Sequence, residues 1–308
     1  MGIIKKVILG TLMILGTLLS KGQQDPMYTQ YIFNLQTVNP AYVGYWQKIG
    51  ITLLNRDQWV GFDGHPSTQT LSFQTPLESQ NVGLGFNVVL DKSGLEKRLL
   101  LNLDYSYRVF LSANTSLRFG IKGGITSYSN NLSEYTQYKP SDPLFQGTID
   151  NKIMPNFGLG LFLSSPTYFL SLSIPKVMQS KYQSNINNFS SVSEVRHLFF
   201  AGGMLFDIAK NVKFKPGFMA KIVKGTPFQY DLSGNFLLAE KFWIGGMYRS
   251  GDSFGVIAQW VIDRKLRLGY AYDFNTSGLQ NFQNGIHEVM ISFEFVYAKR
   301  RLISPRYF

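Results

Sequence analysis

Two neighbouring stretches decide the fold: VGLGFNVVL at residues 82–90 and LLLNLDYSYRV at residues 99–109. In the first stretch, apolar side chains occupy the even positions, and glycine and asparagine fill most of the odd positions between them. The second stretch has apolar and aromatic side chains on odd positions, with mostly polar residues between them. Alternation of period two over about ten residues is typical of a β-strand with one apolar and one polar face. Each stretch is therefore predicted to be a strand whose two faces meet different surroundings.

The same pattern recurs along the chain and predicts fourteen strands. Alternate connections between them are brief, as at residues 165–166 and 239–240, whereas the long ones at 128–154 and 176–194 are rich in Asn, Ser, Gln and Tyr. Even strand numbers, short periplasmic turns and longer outer loops characterise bacterial outer-membrane barrels. We therefore predict an all-β fold: a transmembrane antiparallel up-and-down β-barrel in the outer membrane of a Gram-negative bacterium. The predicted strands are 48–58, 67–76, 81–91, 97–110, 115–127, 155–164, 167–175, 195–208, 211–223, 227–238, 241–250, 253–262, 265–274 and 285–298.

The composition agrees with a lipid-facing surface. Only 16% of the 308 residues are charged, against about 25% in soluble domains, and 15% are aromatic. A belt in contact with lipid excludes charge and confines ionisable side chains to loops, turns and lumen. The net charge of +11 suits lipid headgroups or an acidic partner, whereas secretion and a lipid belt argue against nucleic acid. The absence of cysteine excludes disulfides, thiolate nucleophiles and cysteine-ligated metals.

The chain divides into four predicted regions. Lys5 and Lys6 precede an apolar stretch at residues 7–19 that ends in small residues, as in a cleavable signal peptide, and is shorter than the ~20 residues of a spanning helix. The predicted regions are a signal peptide at 1–22, a polar segment at 23–47 that is periplasmic or folded into the lumen, the barrel at 48–298, and a basic periplasmic tail at 299–308.

The predicted lumen face is polar and carries more cations than anions. It has two interpretations: an anion-preferring pore or seat for an acidic peptide, or a set of mutually neutralising side chains. Inward glycines such as Gly83, Gly85, Gly158 and Gly160 permit strand curvature or the close approach of an internal segment. The predicted inward charges are Arg108, Arg118, Lys122, Lys213, Lys215, Lys221, Arg249, Lys265 and Arg267, with Asp104, Asp231, Asp273, Glu288 and Glu294.

No catalytic or cofactor motif accompanies this pattern. The sequence has no H-E-x-x-H, Walker loop, nucleophile elbow or dinucleotide fingerprint. A hydrolase that uses His197 or His287 near Ser292 is conceivable, but chance explains these residues better. We predict a protein that is not an enzyme and needs no cofactor or metal.

Three further stretches carry a family resemblance. They are QDP at 24–26 with QY at 30–31 and NPAY at 39–42, RDQWVGFDG at 56–64 followed by PSTQT at 66–70, and SPRYF at 304–308. In these stretches the chain resembles the PorP/SprF family of type IX secretion system outer-membrane proteins. The Arg-x-Gln-Trp-x-Gly-Phe stretch is the most specific. One departure is Leu35-Gln36, where the family pattern leads us to expect a proline soon after Asn34.

The resemblance implies a non-enzymatic role in delivering or anchoring secreted adhesin-type cargo through its C-terminal domain, or in linking the outer membrane to periplasmic or lipoprotein components of the secretion and gliding machinery. Outer-membrane lipid is the other expected partner, and a passive or anion-preferring channel is the alternative. The candidates for partner binding, or for a lid over the lumen, are Arg56, Gln58, Trp59, Gly61, Phe62, Asp63, Gly64, Asn39 and Pro40. The candidates for tail docking are Arg300, Arg301, Arg306, Tyr307 and Phe308.

Overall fold

A computed structural model describes residues 26–61, 63–77, 81–131, 134, 148–183, 190–263, 265–276, 283–295 and 307. Within these ranges the chain forms three short 3-10 helices followed by strands. The helices are Tyr31–Phe33, Leu35–Thr37 and Pro40–Tyr42. The strands are β1 Ile49–Asp57, β2 Ser67–Pro76, β3 Val82–Ser93, β4 Glu96–Phe110, β5 Ser116–Asn130, β6 Ile149–Ser164, β7 Tyr168–Ile174, β8 Lys181–Gln183, β9 Ser190–Ser193, β10 His197–Met204, β11 Phe206–Ala209, β12 Val212–Val223, β13 Gln229–Leu238, β14 Phe242–Arg249, β15 Ser253–Val261, β16 Leu266–Asn275 and β17 Ile286–Phe295.

The strands close into one antiparallel barrel. Consecutive strands pair along the chain, β1 pairs with β17, and β10 pairs with both β7 and β12. β10 and β11 are two halves of one strand position, interrupted at Leu205, so the barrel has fourteen positions. Strands β8 and β9 form a separate hairpin outside the barrel sheet. The predicted fold class and strand number are confirmed.

The two faces of the wall differ as the alternation predicts. Leu103 on β4 and Ile121 on β5 are 71% and 56% exposed on the outer surface, whereas the next residues, Asp104 and Lys122, are buried inside. Apolar side chains therefore form the outer belt, and polar side chains line the interior. The inward assignment of Lys265 is wrong, because this residue lies exposed in the turn before β16.

The long connections contain more structure than the sequence indicates. β5 continues to Asn130 and β6 begins at Ile149, so strand replaces both ends of the predicted loop at 128–154. The β8–β9 hairpin occupies part of the predicted loop at 176–194. These additions are rich in polar residues, such as Asp150 and Asn151, so the lipid-belt pattern does not reveal them.

The residues before β1 lie inside the barrel. We call residues 26–47 the plug; almost every residue from Tyr28 to Trp46 is buried. Its aromatic and aliphatic side chains form the hydrophobic core together with inward wall residues such as Phe162 and Trp243. None of the helices in the described part of the chain has the length and hydropathy to cross a membrane.

Candidate functional site

The plug runs along the lumen from one mouth to the other. At its start, the hydroxyl of Tyr28 lies 2.6 Å from that of Thr70, near the end of β2 that adjoins the long connections. At its end, the amide of Gly44 donates to the side-chain oxygen of Gln74 at the opposite end of β2. Because long connections lie outside the cell and short turns in the periplasm, the plug begins near the outer mouth and returns to the periplasmic mouth.

An ion-pair network fastens the outer part of the plug. We call Thr29, Gln30, Arg56, Asp273 and Glu288 the outer latch. Arg56 binds Asp273 at 3.0 Å and Glu288 at 3.1 Å, and also donates to the Thr29 hydroxyl at 2.8 Å. The two carboxylate oxygens of Glu288 accept the backbone amides of Thr29 and Gln30 at 2.9 and 2.8 Å. The side chains of Arg56, Asp273 and Glu288 are almost fully buried, so this network acts inside the barrel.

Amide side chains fix the middle of the plug. Asn34 donates to Ser72, and Gln36 donates to the carbonyl of Phe73 at 2.9 Å and to Asp104 at 3.2 Å. Asn39 donates to the Ser171 hydroxyl at 2.7 Å and to the carbonyl of Leu161 at 2.9 Å. These bonds reach β2, β4, β6 and β7, so the plug is attached to several sides of the wall.

Wall glycines let the plug backbone lie directly against the strands. A Cβ atom at Gly120 would collide with Ala41, one at Gly160 with Asn39, and one at Gly83 with the carbonyl of Val43. Gly160 and Gly83 are two of the four inward glycines predicted to permit either strand curvature or the close approach of an internal segment. These small wall residues therefore leave room for the 39–42 motif directly against the strands.

Aromatic packing fills the rest of the lumen. Phe33 meets Trp243 edge to face at 5.6 Å, and Tyr42 meets Phe162 in the same way at 5.3 Å. The ammonium of Lys215 lies 4.3 Å from the ring centre of Phe33. Such pairs add to the apolar area that the plug buries.

The first outer loop, residues 58–66, is fastened to neighbouring loops. Val60 exchanges two backbone hydrogen bonds with the segment at 284–285, and Gly94 donates to the carbonyl of Gly64 at 2.9 Å. Trp59 has a left-handed backbone with φ of 56°, and its side chain is half-buried. Gly61, Asp63 and Gly64 are exposed, and Gln58 is half-buried.

The candidate residues therefore fall into three places. Arg56, Asn39 and Pro40 lie in the lumen, and Gln58, Trp59, Gly61, Asp63 and Gly64 lie in the first outer loop. Tyr307 lies at the periplasmic mouth, where its carbonyl accepts from Lys215 at 2.8 Å and its hydroxyl lies 3.3 Å from Glu240. Phe62, Arg300, Arg301, Arg306 and Phe308 lie outside the described residues. The candidates thus do not form a single site.

Sequence reasoning missed the partners of Arg56. Thr29 belongs to the Tyr-Thr-Gln-Tyr stretch of the plug and was not singled out, whereas Asp273 and Glu288 were noted only as inward charges. The sequence did contain a signal for this network. The alternation on β1 places Arg56 inward, and it places Asp273 on β16 and Glu288 on β17 inward as well. Because β1 and β17 must pair in a closed barrel, these side chains had to be neighbours.

No nucleophile–base pair is formed by the histidines considered above. His287 faces outward beside Tyr270, whereas Ser292 on the same strand is buried inside. His197 lies on β10, away from β17. No group of three His, Cys, Asp or Glu suited to a metal ion occurs among the described residues.

Comparisons with known proteins are consistent with this geometry. A family model described as type IX secretion system membrane protein PorP/SprF matches residues 20–293. A search of curated proteins finds no match. Among solved structures, a TodX mutant monoaromatic hydrocarbon channel is 9% identical over 88% of this chain and 95% of its own, with a TM-score of 0.51. The Ralstonia pickettii toluene transporter TbuX is 10% identical over 84% and 92%, with a TM-score of 0.50. At these identities the similarity concerns the fold alone.

Proposed function

Because the chain belongs to the PorP/SprF family of type IX secretion system membrane proteins, we propose that it is a closed outer-membrane scaffold which holds or delivers secreted adhesin-type cargo. In this proposal the outer loops contact the C-terminal domain of the cargo, and the periplasmic mouth contacts components of the secretion and gliding machinery. Family and fold are of non-enzymatic kinds.

The attachment of the plug is the observation that carries the proposal. The plug is bound to the wall at the outer latch, through its amide side chains and at the periplasmic mouth. Withdrawal of the plug would exchange each of these hydrogen bonds for one with water, at a net cost of about 0.5–1.5 kcal/mol per bond. A segment held at so many points blocks the lumen, so the barrel presents its two ends rather than a path between them.

The first outer loop is the preferred cargo contact. Its hydrogen bonds to the loops before β17 and β4 hold it in one conformation, which reduces the ordering entropy of a complex. Trp59 and Phe62 supply the aromatic side chains that often dominate protein interfaces. The same loop lies at the outer end of the barrel, where the plug begins, so the lid interpretation and the partner interpretation are compatible.

A passive or anion-preferring channel is the second candidate, and the structural reason for it is weak. Three of the inward cations that suggested an anion path are paired with buried acids: Lys122 with Asp104, Arg249 with Asp231, and Arg267 with Glu294. The mutually neutralising lining therefore accounts for part of the inward charge.

Affinity isolation from native membranes tests the proposal. The tagged full-length protein is solubilised in mild detergent from cells that have an intact type IX system, and co-purifying proteins are identified by mass spectrometry. We expect a secreted surface protein and a periplasmic or lipoprotein component to co-purify. A matched isolation of an unrelated outer-membrane barrel from the same cells gives the background. Recovery of the protein alone, at that background, would contradict the proposal.

A further inference from the structure

Two arginines occupy opposite positions on neighbouring strands inside the periplasmic mouth. Arg108 on β4 and Arg118 on β5 are direct cross-strand neighbours, and both are inward-facing and buried. The turn between these strands, residues 111–115, is one of the short periplasmic connections. We call Arg108 and Arg118 the arginine pair.

Within the described part of the chain, the arginine pair has no ion pair with an acid, unlike other inward arginines. Arg118 donates to the carbonyl of Gly44 at 2.9 Å and to the hydroxyl of Ser106 at 3.4 Å, both neutral acceptors. The guanidinium of Arg108 lies 4.4 Å from the ring centre of Phe110. Neither Nε atom has a hydrogen-bond partner in the part of the chain that the structure describes. Arg56 and Arg249, in contrast, each contact carboxylates.

Such an arrangement is unfavourable without an anion. Like charges directly opposite each other across a β-ladder repel, and burial strengthens the repulsion because the surroundings screen it less. A carboxylate placed between two guanidinium groups relieves this repulsion and accepts charge-assisted hydrogen bonds from both.

The position of the arginine pair restricts what can supply the anion. The pair faces the lumen, so the barrel wall separates it from the headgroups of the surrounding lipid. The predicted tail is basic, with Lys299, Arg300, Arg301 and Arg306, and its described residue Tyr307 contacts Lys215 on β12, on another side of the mouth. A segment approaching from the periplasm reaches the pair through the mouth, past Phe110, which is 58% exposed.

We propose that the arginine pair is a docking site for an acidic segment of a periplasmic protein, with one carboxylate bridging the two guanidinium groups and an adjacent apolar side chain packing on Phe110. This inference deepens the periplasmic part of the proposed function and rests on it for the identity of the partner. Peptide binding to the purified protein does not depend on secretion, so a failure of this inference can be distinguished from a failure of the proposed function.

Fluorescence anisotropy with the purified full-length protein in detergent tests this site. The probe is a labelled decapeptide of alternating Glu and Phe, and its matched control replaces every Glu by Gln. We expect the acidic peptide to bind and the Gln peptide to bind at least about tenfold more weakly. Equal binding of the two peptides would overturn the proposal, because it would show that the apolar side chains alone account for binding.

The variant R108Q locates the binding. In the wild type the Arg108 side chain makes no hydrogen bond to the described residues, so the barrel of the variant should fold. Heat-modifiable mobility on gels checks that it does. We expect R108Q to bind the acidic peptide at least about tenfold more weakly. The control K265Q removes one exposed positive charge at the same end of the barrel and should bind like the wild type. An equal loss of peptide affinity in R108Q and K265Q would show that binding depends only on the overall positive charge, and would overturn the proposal.

One further variant tests whether the chain satisfies its own arginine pair. Glu78 lies in the turn before β3, outside the described residues. We expect E78Q to bind the acidic peptide with the affinity of the wild type. Binding that appears only in E78Q would show that a carboxylate of this chain occupies the arginine pair, and would overturn the proposal.

Discussion

Single buried charges hold the outer part of the plug in place, and Arg56 is the clearest case. Its guanidinium contacts two carboxylates and a plug hydroxyl within 3.1 Å. Breaking a buried ion pair by removing one partner costs about 3–5 kcal/mol, because the other charge stays buried and uncompensated. Arg56 belongs to the most specific motif of the sequence, so part of that motif serves the interior rather than a surface.

The substitution R56Q should therefore lower the free energy of unfolding by about 3–5 kcal/mol. The control K213Q breaks an ion pair whose Asp207 side chain is 77% exposed, and should cost about 1 kcal/mol or less. Urea titration of both variants in lipid vesicles, followed by tryptophan fluorescence, measures the difference. Equal losses in the two variants would show that the outer latch contributes no more than a surface pair.

Gly120 offers a second test at the residue scale, because its missing side chain makes room for the backbone of Ala41. The substitution G120V should displace the plug and expose its aromatic residues to chymotrypsin. The control is G123V on the same strand, where a Cβ atom meets nothing within 4 Å. Limited digestion followed by mass spectrometry should detect plug fragments from G120V only. A plug that resists digestion equally in both variants would contradict the close packing.

Among the elements, the strands were predictable, whereas the plug was predicted only as one of two alternatives for residues 23–47, and its path was not predictable. Strands β3 and β4 could be placed because lipid imposes apolar residues at every second position. The plug obeys no such period: its Asn34, Gln36 and Asn39 are polar yet buried, and they are satisfied by wall atoms far away in sequence. The outer end of the β5–β6 hairpin was missed because strand residues such as Asp150 and Asn151 carry no lipid-facing pattern.

The candidate site was predictable to the same limited degree. The inward charges followed from the strand phase, but the union of Arg56 with Thr29 and Glu288 depends on where the plug enters the lumen. The contacts of Tyr307 depend on a chain path that no local pattern determines. The strand pattern predicts the first outer loop as a connection, but its role as a candidate partner site follows only from the family resemblance.

A replacement of the first outer loop tests its role as the cargo contact. Replacing residues 59–63 by a Gly-Ser segment of equal length should leave the barrel folded but reduce the amount of cargo retained at the cell surface, because the aromatic contacts and the fastened conformation are lost. The same replacement at residues 224–228, between β12 and β13 on the same end of the barrel, is the control. Surface immunoblotting of intact cells measures retention. Unchanged cargo in the 59–63 variant would exclude this loop as the cargo contact.

The whole molecule is a barrel whose lumen contains the plug, and its two ends differ. Its outer end carries the long loops, and its periplasmic end carries the arginine pair and the contacts of Tyr307. Since the plug connects the latch at one end to Gly44 at the other, a single segment of the chain contacts the wall near both mouths. This arrangement suits a scaffold that links surface cargo to periplasmic components.

Planar bilayer recording tests the closed lumen most directly. The wild-type protein is compared with a variant that lacks residues 28–44, with folding of both checked by heat-modifiable mobility. The plugged structure predicts no steady current from the wild type and open-channel steps from the variant. Steady channel current from the folded wild-type protein, at the level of the plug-deleted variant, would contradict the account.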